Sequence, residues 1–428
     1  MNTLQDLRAT LDQHASGVHD DPTTARVAAV RGRARRARQQ RSAAVVGGAV
    51  VAVVATATVA LIPGDRSPQP TDRTVLGQEA PAELSSLGWS YEFAEAFEGE
   101  DGRGVRLRLP RQVGPRLVTW TTASEGQDVA YRLQGYEDGV SGAPDFEDFV
   151  WVPPGYGGRL DLDGPGEVAA VVYELTDETP AGMSEDGVLF REEVGSETLV
   201  DAAFGQVGVP QVLLETVLPE GDLRVAEFCA DVPEDVWVNV SINGEGAVAS
   251  SGCGGDTFDP AIGTASYLDA GTVGEPGETV EIRMWLSREF RGEPVTRVPG
   301  ARLALGLYAL GEPAAVMFGS HTPDLVEHEG HRWGFVEAVT STAPGDLLRF
   351  QNEGTRPLLL VGSYSRIGRS TLGFRVGDGG MDRTSGGLGG GDIRGMLLPG
   401  EAAAMRVGTR GGIPDSAEFG FAVYERVD

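Results

Sequence analysis

Three histidines fall in the stretch HTPDLVEHEGHRW, as His321, His328 and His331, with Asp324, Glu327 and Glu329 among them. Imidazole and carboxylate groups are ligands for zinc or copper. Glu329-Gly330 has the form of a two-residue hairpin turn, which would set His328 opposite His331 across two strands. His321 or Asp324 could then complete a site for a divalent metal. The alternative is a solvated hairpin with no cofactor. The spacing is one residue short of the helical His-Glu-x-x-His pattern of metalloproteases, and its setting is a turn. Asp161-x-Asp163-Gly164 with Glu167 offers the hard oxygen ligands that calcium takes, in a pattern that an acidic solvent face also shows. The glycine-rich run from Gly377 to Asp392 has neither the dinucleotide fingerprint nor the lysine of a phosphate loop. No Gly-x-Ser-x-Gly elbow is present and no Ser, His and Asp placement suggests a triad, so no residue is assigned as catalytic.

Two further groups point to structure rather than reaction. Cys229 and Cys253 are the only cysteines. Both follow the apolar segment described below, on what reads as the oxidising side of a membrane. A disulfide there would close a loop of about 25 residues and contribute roughly 3.5 kcal/mol in the chain-entropy model; two separate buried thiols are the alternative. A glutamate also recurs between apolar neighbours, as Glu95 in Phe93-Ala94-Glu95-Ala96-Phe97, Glu227 in Val225-Ala226-Glu227-Phe228-Cys229 and Glu337 in Phe335-Val336-Glu337-Ala338-Val339. Strand alternation puts each on the face of its apolar neighbours, where a carboxylate needs a partner. An arginine recurs after each of three Pro-Gly turns, as Arg159, Arg283 and Arg406. Glu95–Arg159, Glu227–Arg283 and Glu337–Arg406 pairs are therefore expected, unless the opposite face is the core and the glutamates meet water.

The elements that would hold these groups repeat. Each glutamate strand is followed by a β-rich run: Leu117 to Trp120, Val236 to Val240, and Leu358 to Val361. A turn comes next, at Pro154-Gly155, Pro276-Gly277 and Pro399-Gly400, and each copy closes on an apolar strand carrying Tyr173, Tyr308 or Tyr424. The same marks in the same order argue for three copies of one fold. High glycine and proline content, frequent turns and no long amphipathic helix make the fold class mainly β. The reading is three tandem antiparallel β-sandwich modules, Ig-like or jelly-roll-like, at 84–178, 187–311 and 312–428.

Upstream, Ser42 to Ile62 carries no charge and no proline. At about 1.5 Å per residue it is long enough to cross a bilayer's hydrocarbon core as a transmembrane helix. Arg31, Arg33, Arg35, Arg36, Arg38 and Arg41 precede it and should keep residues 1–41 in the cytoplasm as a helical, Arg-rich head. The C-terminus is then extracytoplasmic and the cell membrane the expected location. Residues 63–83 read as a proline-rich linker. Ala55-Thr56-Ala57 also has the form of a signal cleavage site, although apolar residues continue beyond it. Ala44, Gly48, Ala52, Thr56 and Ala60 form a small-residue stripe through which two such helices could dimerise. The arginines would meet anionic headgroups of the lipid bilayer. Leu4, Leu7 and Leu11 share a helical face too short to bury itself, which could dock a cytosolic partner.

This layout, with RVAAVRGRARRARQQR ahead of one span and an outer domain, resembles single-pass membrane proteins of high-GC Gram-positive bacteria (Actinobacteria). Some of them regulate extracytoplasmic-function sigma factors. The resemblance covers about the first 65 residues. The head lacks the cysteines of zinc-binding anti-sigma domains. All 35 basic residues are arginine, as a GC-rich genome would encode. The net charge of −28 divides into +4 before the apolar segment and −32 from it onwards, which disfavours a nucleic-acid partner. The functional expectation is a non-catalytic, membrane-anchored protein whose modules bind an envelope glycan or protein. The alternatives are a one-span signal transducer with an outer sensor and an envelope-associated hydrolase.

Overall fold

The structure is a computed structural model that describes residues 73–99, 104–123, 127–135, 138–141, 145–251, 265–268, 274–341, 343, 345–367, 370–377, 382–385, 391–408 and 415–428. The head with its six arginines and leucine face, and the apolar segment 42–62, lie outside the described residues. Among the described residues no helix is long and apolar enough to cross a membrane. Ser67–Asp428 forms one compact unit.

The strands fall into three sets. The first opens with a hairpin of β1 (Thr74–Val75) and β2 (Gln78–Glu79). It continues with β3 (Glu83–Ser86), β4 (Trp89–Glu98), β5 (Val105–Leu109), β6 (Arg116–Thr122), β7 (Val129–Leu133), β8 (Asp138–Ser141), β9 (Phe149–Val152), β10 (Gly158–Asp163) and β11 (Val168–Leu175). The second opens with β12 (Gly182–Glu185) and β13 (Val188–Arg191). Then come β14 (Glu193–Val194), β15 (Glu197–Phe204), β16 (Gln211–Val217), β17 (Leu223–Ala230), β18 (Trp237–Ile242), β19 (Glu245–Ser251), β20 (Ala265–Leu268), β21 (Thr279–Ser287) and β22 (Arg302–Ala309). The third opens with β23 (Pro313–Met317) and β24 (Ser320–Pro323). After it run β25 (Leu325–His328), β26 (His331–Thr340), β27 (Leu348–Gln351), β28 (Leu358–Ser365), β29 (Thr371–Val376), β30 (Asp382–Ser385), β31 (Gly391–Leu397), β32 (Ala402–Gly408) and β33 (Glu418–Arg426).

The sheet order is the same each time. Five-stranded sheets run β3-β4-β11-β6-β9, β14-β15-β22-β17-β20 and β25-β26-β33-β28-β31. Four-stranded sheets run β5-β10-β7-β8, β16-β21-β18-β19 and β27-β32-β29-β30. Pairing is antiparallel. Each set also begins with a hairpin that sequence reading did not find. The first occupies the end of the expected linker, where Val75 and Ala80 are fully buried, and the boundary read at residue 187 falls in the turn of the second. These turns are Leu76-Gly77, Asp186-Gly187 and Phe318-Gly319, all with positive φ at both positions, the geometry that matches strand twist in two-residue hairpins.

Each set has two apolar layers. Alternation along β5 sends Val105, Leu107 and Leu109 between the two sheets and leaves Arg106 and Arg108 outside. The five-stranded sheet buries its other face as well. There Ala169, Val171 and Tyr173 pack with Val75 and Ala80 of the first hairpin, Ala304 and Tyr308 with Val188 and Phe190 of the second, and Ala422 and Tyr424 with Met317 of the third. Burial on both faces is why β11, β22 and β33 read as continuous apolar runs. Phe190 packs so closely on β22 that a Cβ on Gly306 would lie 2.6 Å from its ring. The three tyrosine hydroxyls donate to main-chain carbonyls at or just after the end of each hairpin: Tyr173 to Pro81 at 2.9 Å, Tyr308 to Arg191 at 3.0 Å and Tyr424 to Pro323 at 3.1 Å.

The three sets touch one another around the turns that leave their first sheet strands. Ser86 donates to the Gly330 carbonyl at 2.6 Å, joining first and third. Arg191, at the end of the second hairpin, donates to the Leu87 carbonyl at 3.1 Å and makes a two-pronged ion pair with Glu327, with contacts of 2.5 and 3.2 Å. Both side chains of that pair are 2% exposed. Glu327 also accepts from the Gly195 amide at 3.0 Å. At the seam between first and third sets His331 stacks on Phe149 with centroids 4.0 Å apart and donates from Nε2 to its carbonyl at 3.2 Å. Arg426 pairs with Asp148 beside it. Gly330 has φ +83°, and a Cβ there would sit about 3 Å from Phe149, Ser86 and Trp151.

Candidate functional site

The structure keeps His321 apart from the other two histidines. Glu329-Gly330 is the expected turn and His328 faces His331 in register. His321 lies instead on β24 of the third hairpin, where Nδ1 is 2.7 Å from Asp222 and Nε2 donates to the Gly311 carbonyl at 3.0 Å. His331 is committed to Phe149, with Asp428 3.5 Å from its Nδ1. Asp324 is exposed. No three ligand-type residues group as a metal site among the described residues. Asp161, the first carboxylate of the other acidic pattern, is taken by Arg106 and Arg159, each at 2.9 Å.

The expected Glu–Arg pairs are not brought together. Each glutamate sits on a five-stranded sheet and its arginine on the four-stranded sheet: β4 against β10, β17 against β21, β26 against β32. Glu95 and Glu337 are exposed. Arg159 pairs with Asp161, Arg283 donates to Gln211 at 2.9 Å, and Arg406 faces outward. The cation that Glu95 influences is Arg116, whose pKa burial lowers against the raising effect of Glu174 and Glu95. Cys229 is half-buried beside the core of the second set, and no free thiol occurs among the described residues. Cys253 lies outside the described residues, so its pairing remains an expectation.

A different group of residues forms the most site-like surface. In the second set Val238, Val240, Met284 and Leu286 face the core, so alternation turns Trp237, Asn239, Trp285 and Ser287 outward on the four-stranded sheet. Asn239 lies directly opposite Trp285, and Trp237 opposite Ser287, so the two rings are diagonal neighbours. The segment after β21 folds back over this face. Asn239 is fully buried beneath it, donating to Ser287 Oγ at 2.8 Å and accepting from the Arg291 amide at 2.8 Å. The Trp285 indole donates to the Gly292 carbonyl at 2.9 Å. This anchoring presents Phe290, 53% exposed, edge-on to Trp237 with centroids 5.7 Å apart.

Arginines frame the rings. The Arg291 guanidinium is 5.0 Å from the Phe290 centroid and that of Arg283 is 5.4 Å from Trp285. Gln211, which accepts from Arg283 and lies opposite Trp285, also lines a groove of about 400 Å³ between Val209-Pro210-Gln211 and Pro294-Val295, with Arg297 at its rim. The corresponding faces differ. That of the first set carries Arg106, Arg108, Arg132, Arg159 and Asp161, and that of the third Arg349, Arg375 and Arg406. At outward strand positions on these two faces no aromatic stands among the described residues.

No family model matches the chain, and no curated protein matches it. Solved structures give distant likenesses. The M60 catalytic domain of Clostridium perfringens ZmpB with its two CBM51 domains is 8% identical, with 85% of this chain and 37% of that one covered at a TM-score of 0.18. A Paenibacillus xanthan lyase is 11% identical, with 79% and 36% covered at a TM-score of 0.16. An uncharacterized Listeria monocytogenes protein is 11% identical, with 79% and 31% covered at a TM-score of 0.15. The chain spans 31 to 37% of the length of these three. Scores this low transfer neither fold nor activity, so the reading rests on this chain's own residues.

Proposed function

We propose that the chain is a membrane-anchored extracytoplasmic binding protein, non-catalytic, built from three tandem sandwich modules of jelly-roll type and directed at a glycan of the cell envelope. The observation that carries the glycan is the aromatic face of the middle module. The C–H groups of a sugar ring's flat face are apolar and slightly positive, and pack on the electron-rich face of an indole or phenyl ring. The hydroxyls around the sugar need donors and acceptors nearby, which Gln211, Arg283 and Arg291 supply. In each set the chain crosses between the two sheets except within the hairpins β3-β4 and β7-β8 and their counterparts, as in a double Greek key, and this supports the jelly-roll assignment. The membrane anchor and outward topology rest on Ser42 to Ile62 and the arginines before it.

Pull-down of purified envelope polysaccharides by the detergent-solubilised chain tests the proposal. Retention is expected with the wild type and lost with Phe290→Ser combined with Trp285→Ala. A C-terminal reporter tests the anchor, with activity expected only outside the cytoplasm. Retention indifferent to both ring substitutions contradicts the binding face.

A further inference from the structure

We infer that the glycan bound at the middle module carries carboxylate groups, and that Arg283 with Arg297 reads them beside Trp285. This rests on the glycan reading above and adds the ligand's charge. The chain is strongly acidic beyond its apolar segment, yet Arg283 to Arg297 holds four arginines against two glutamates, Glu289 and Glu293. Arg288 is held by Asp235. Arg283 has a neutral partner instead. Its guanidinium is held by the Gln211 amide oxygen at 2.9 Å and by the Trp285 ring, an arrangement that keeps the group oriented without neutralising it.

A carboxylate at Gln211, on the wall of the groove, lies beside Arg283 on the Trp285 side and has the exposed Arg297 on the other. Exchange of the neutral amide for a carboxylate gives Arg283 a countercharge and a two-pronged contact in place of a single bond to a neutral oxygen. The ring then positions the sugar and the guanidinium selects its charge. The arginines draw an anionic chain, and the rings beside them distinguish this face from those of the first and third sets, which carry arginines without outward aromatics.

The test uses the full chain in detergent micelles and two probes that share one sugar backbone and differ in charge: oligogalacturonate and its methyl ester, titrated calorimetrically beside a neutral glucan. The acid should bind about tenfold or more tightly than the ester. Arg283→Gln should narrow the preference for the acid over the ester to about threefold or less, weakening the acid far more than the ester, with an unaltered melting temperature. Arg297→Gln, at an exposed position, gives a second variant with little risk to folding and should produce a partial loss. Equal binding of acid and ester overturns this inference and leaves the glycan reading standing. Binding of a phosphate-bearing wall polymer in place of the uronate likewise overturns the carboxylate assignment. Failure of all glycans, neutral and acidic, overturns both.

Discussion

Arg191 is an arginine with almost no contact with water, and its position ties the three sets of strands together. It touches Leu87 of the first set and Glu327 of the third while belonging to the second. Removing one member of a buried ion pair leaves the other charge stranded, at a cost of roughly 3–5 kcal/mol. Arg191→Met should therefore destabilise the chain by about that amount, and Arg191→Met with Glu327→Leu by less than the two single costs together. Denaturant melts of the three variants decide this, and strict additivity contradicts the pair. His328 gives the pH prediction. Burial first, then the positive potential of Arg394 and His331, lowers its pKa from 6.5 to about 4. The folded chain resists a proton that the unfolded chain accepts, so stability falls as pH drops from 6.5 towards about 4 and is unaffected by this group above that window. The full shift corresponds to up to roughly 3 kcal/mol. His328→Gln should flatten that part of the stability–pH curve; an unchanged curve excludes His328 as its cause. Glu329-Gly330 disclosed the hairpin that carries this histidine. Nothing in the spacing showed that His331 would be spent on Phe149, 182 residues away.

At the scale of the element, the last strand of each set was the most legible feature. β11, β22 and β33 are apolar except at their ends because both faces are buried, and each carries its tyrosine at an equivalent place. The Pro-Gly turns also fall alike, before β10, β21 and β32. The glutamate mark was misaligned in the middle copy. Glu95 and Glu337 each follow a bulge, opposite Val172 and Val423, and the residue in that position of the second set is Asp201, opposite Leu307. Leu199-Val200-Asp201-Ala202 thus corresponds to Phe93-Ala94-Glu95-Ala96, while Val225-Ala226-Glu227 lies on β17, a later strand, and imitates it. The short opening hairpins escaped notice because strands of two to five residues show no clear periodicity. Their importance is testable through the tyrosines. Tyr308→Phe removes a buried hydrogen bond to the second hairpin and should cost about 1 kcal/mol, as should Tyr173→Phe and Tyr424→Phe. Burial, against Arg73, pushes the Tyr173 hydroxyl up to about 12, so it remains a donor throughout the working pH range. A variant as stable as the wild type would mean that its hairpin is held by apolar contact alone.

For the whole molecule, contacts run from each set to both of the others, so residues 67–428 should unfold as one cooperative unit rather than as three separate domains. Scanning calorimetry should show a single transition whose calorimetric and van't Hoff enthalpies agree. Three resolved transitions would contradict this. Gly330→Ala should lower that transition as a whole, since the added Cβ strains a left-handed turn and intrudes between first and third sets. The repeated marks were legible in the sequence, but the aromatic face was not. Trp237, Trp285 and Phe290 are brought together only by the pairing of β18 with β21 and by the fold-back over Asn239. Arginines flanking Trp285 and Phe290 were the available signal, and it becomes meaningful only once alternation shows which residues face outward. The central claim is that this face binds a glycan, and titration of envelope polysaccharide followed by tryptophan fluorescence tests it most directly. The account predicts a saturable change in emission that disappears in Trp285→Phe combined with Phe290→Ser; no saturable change, or the same change in that variant, would contradict it.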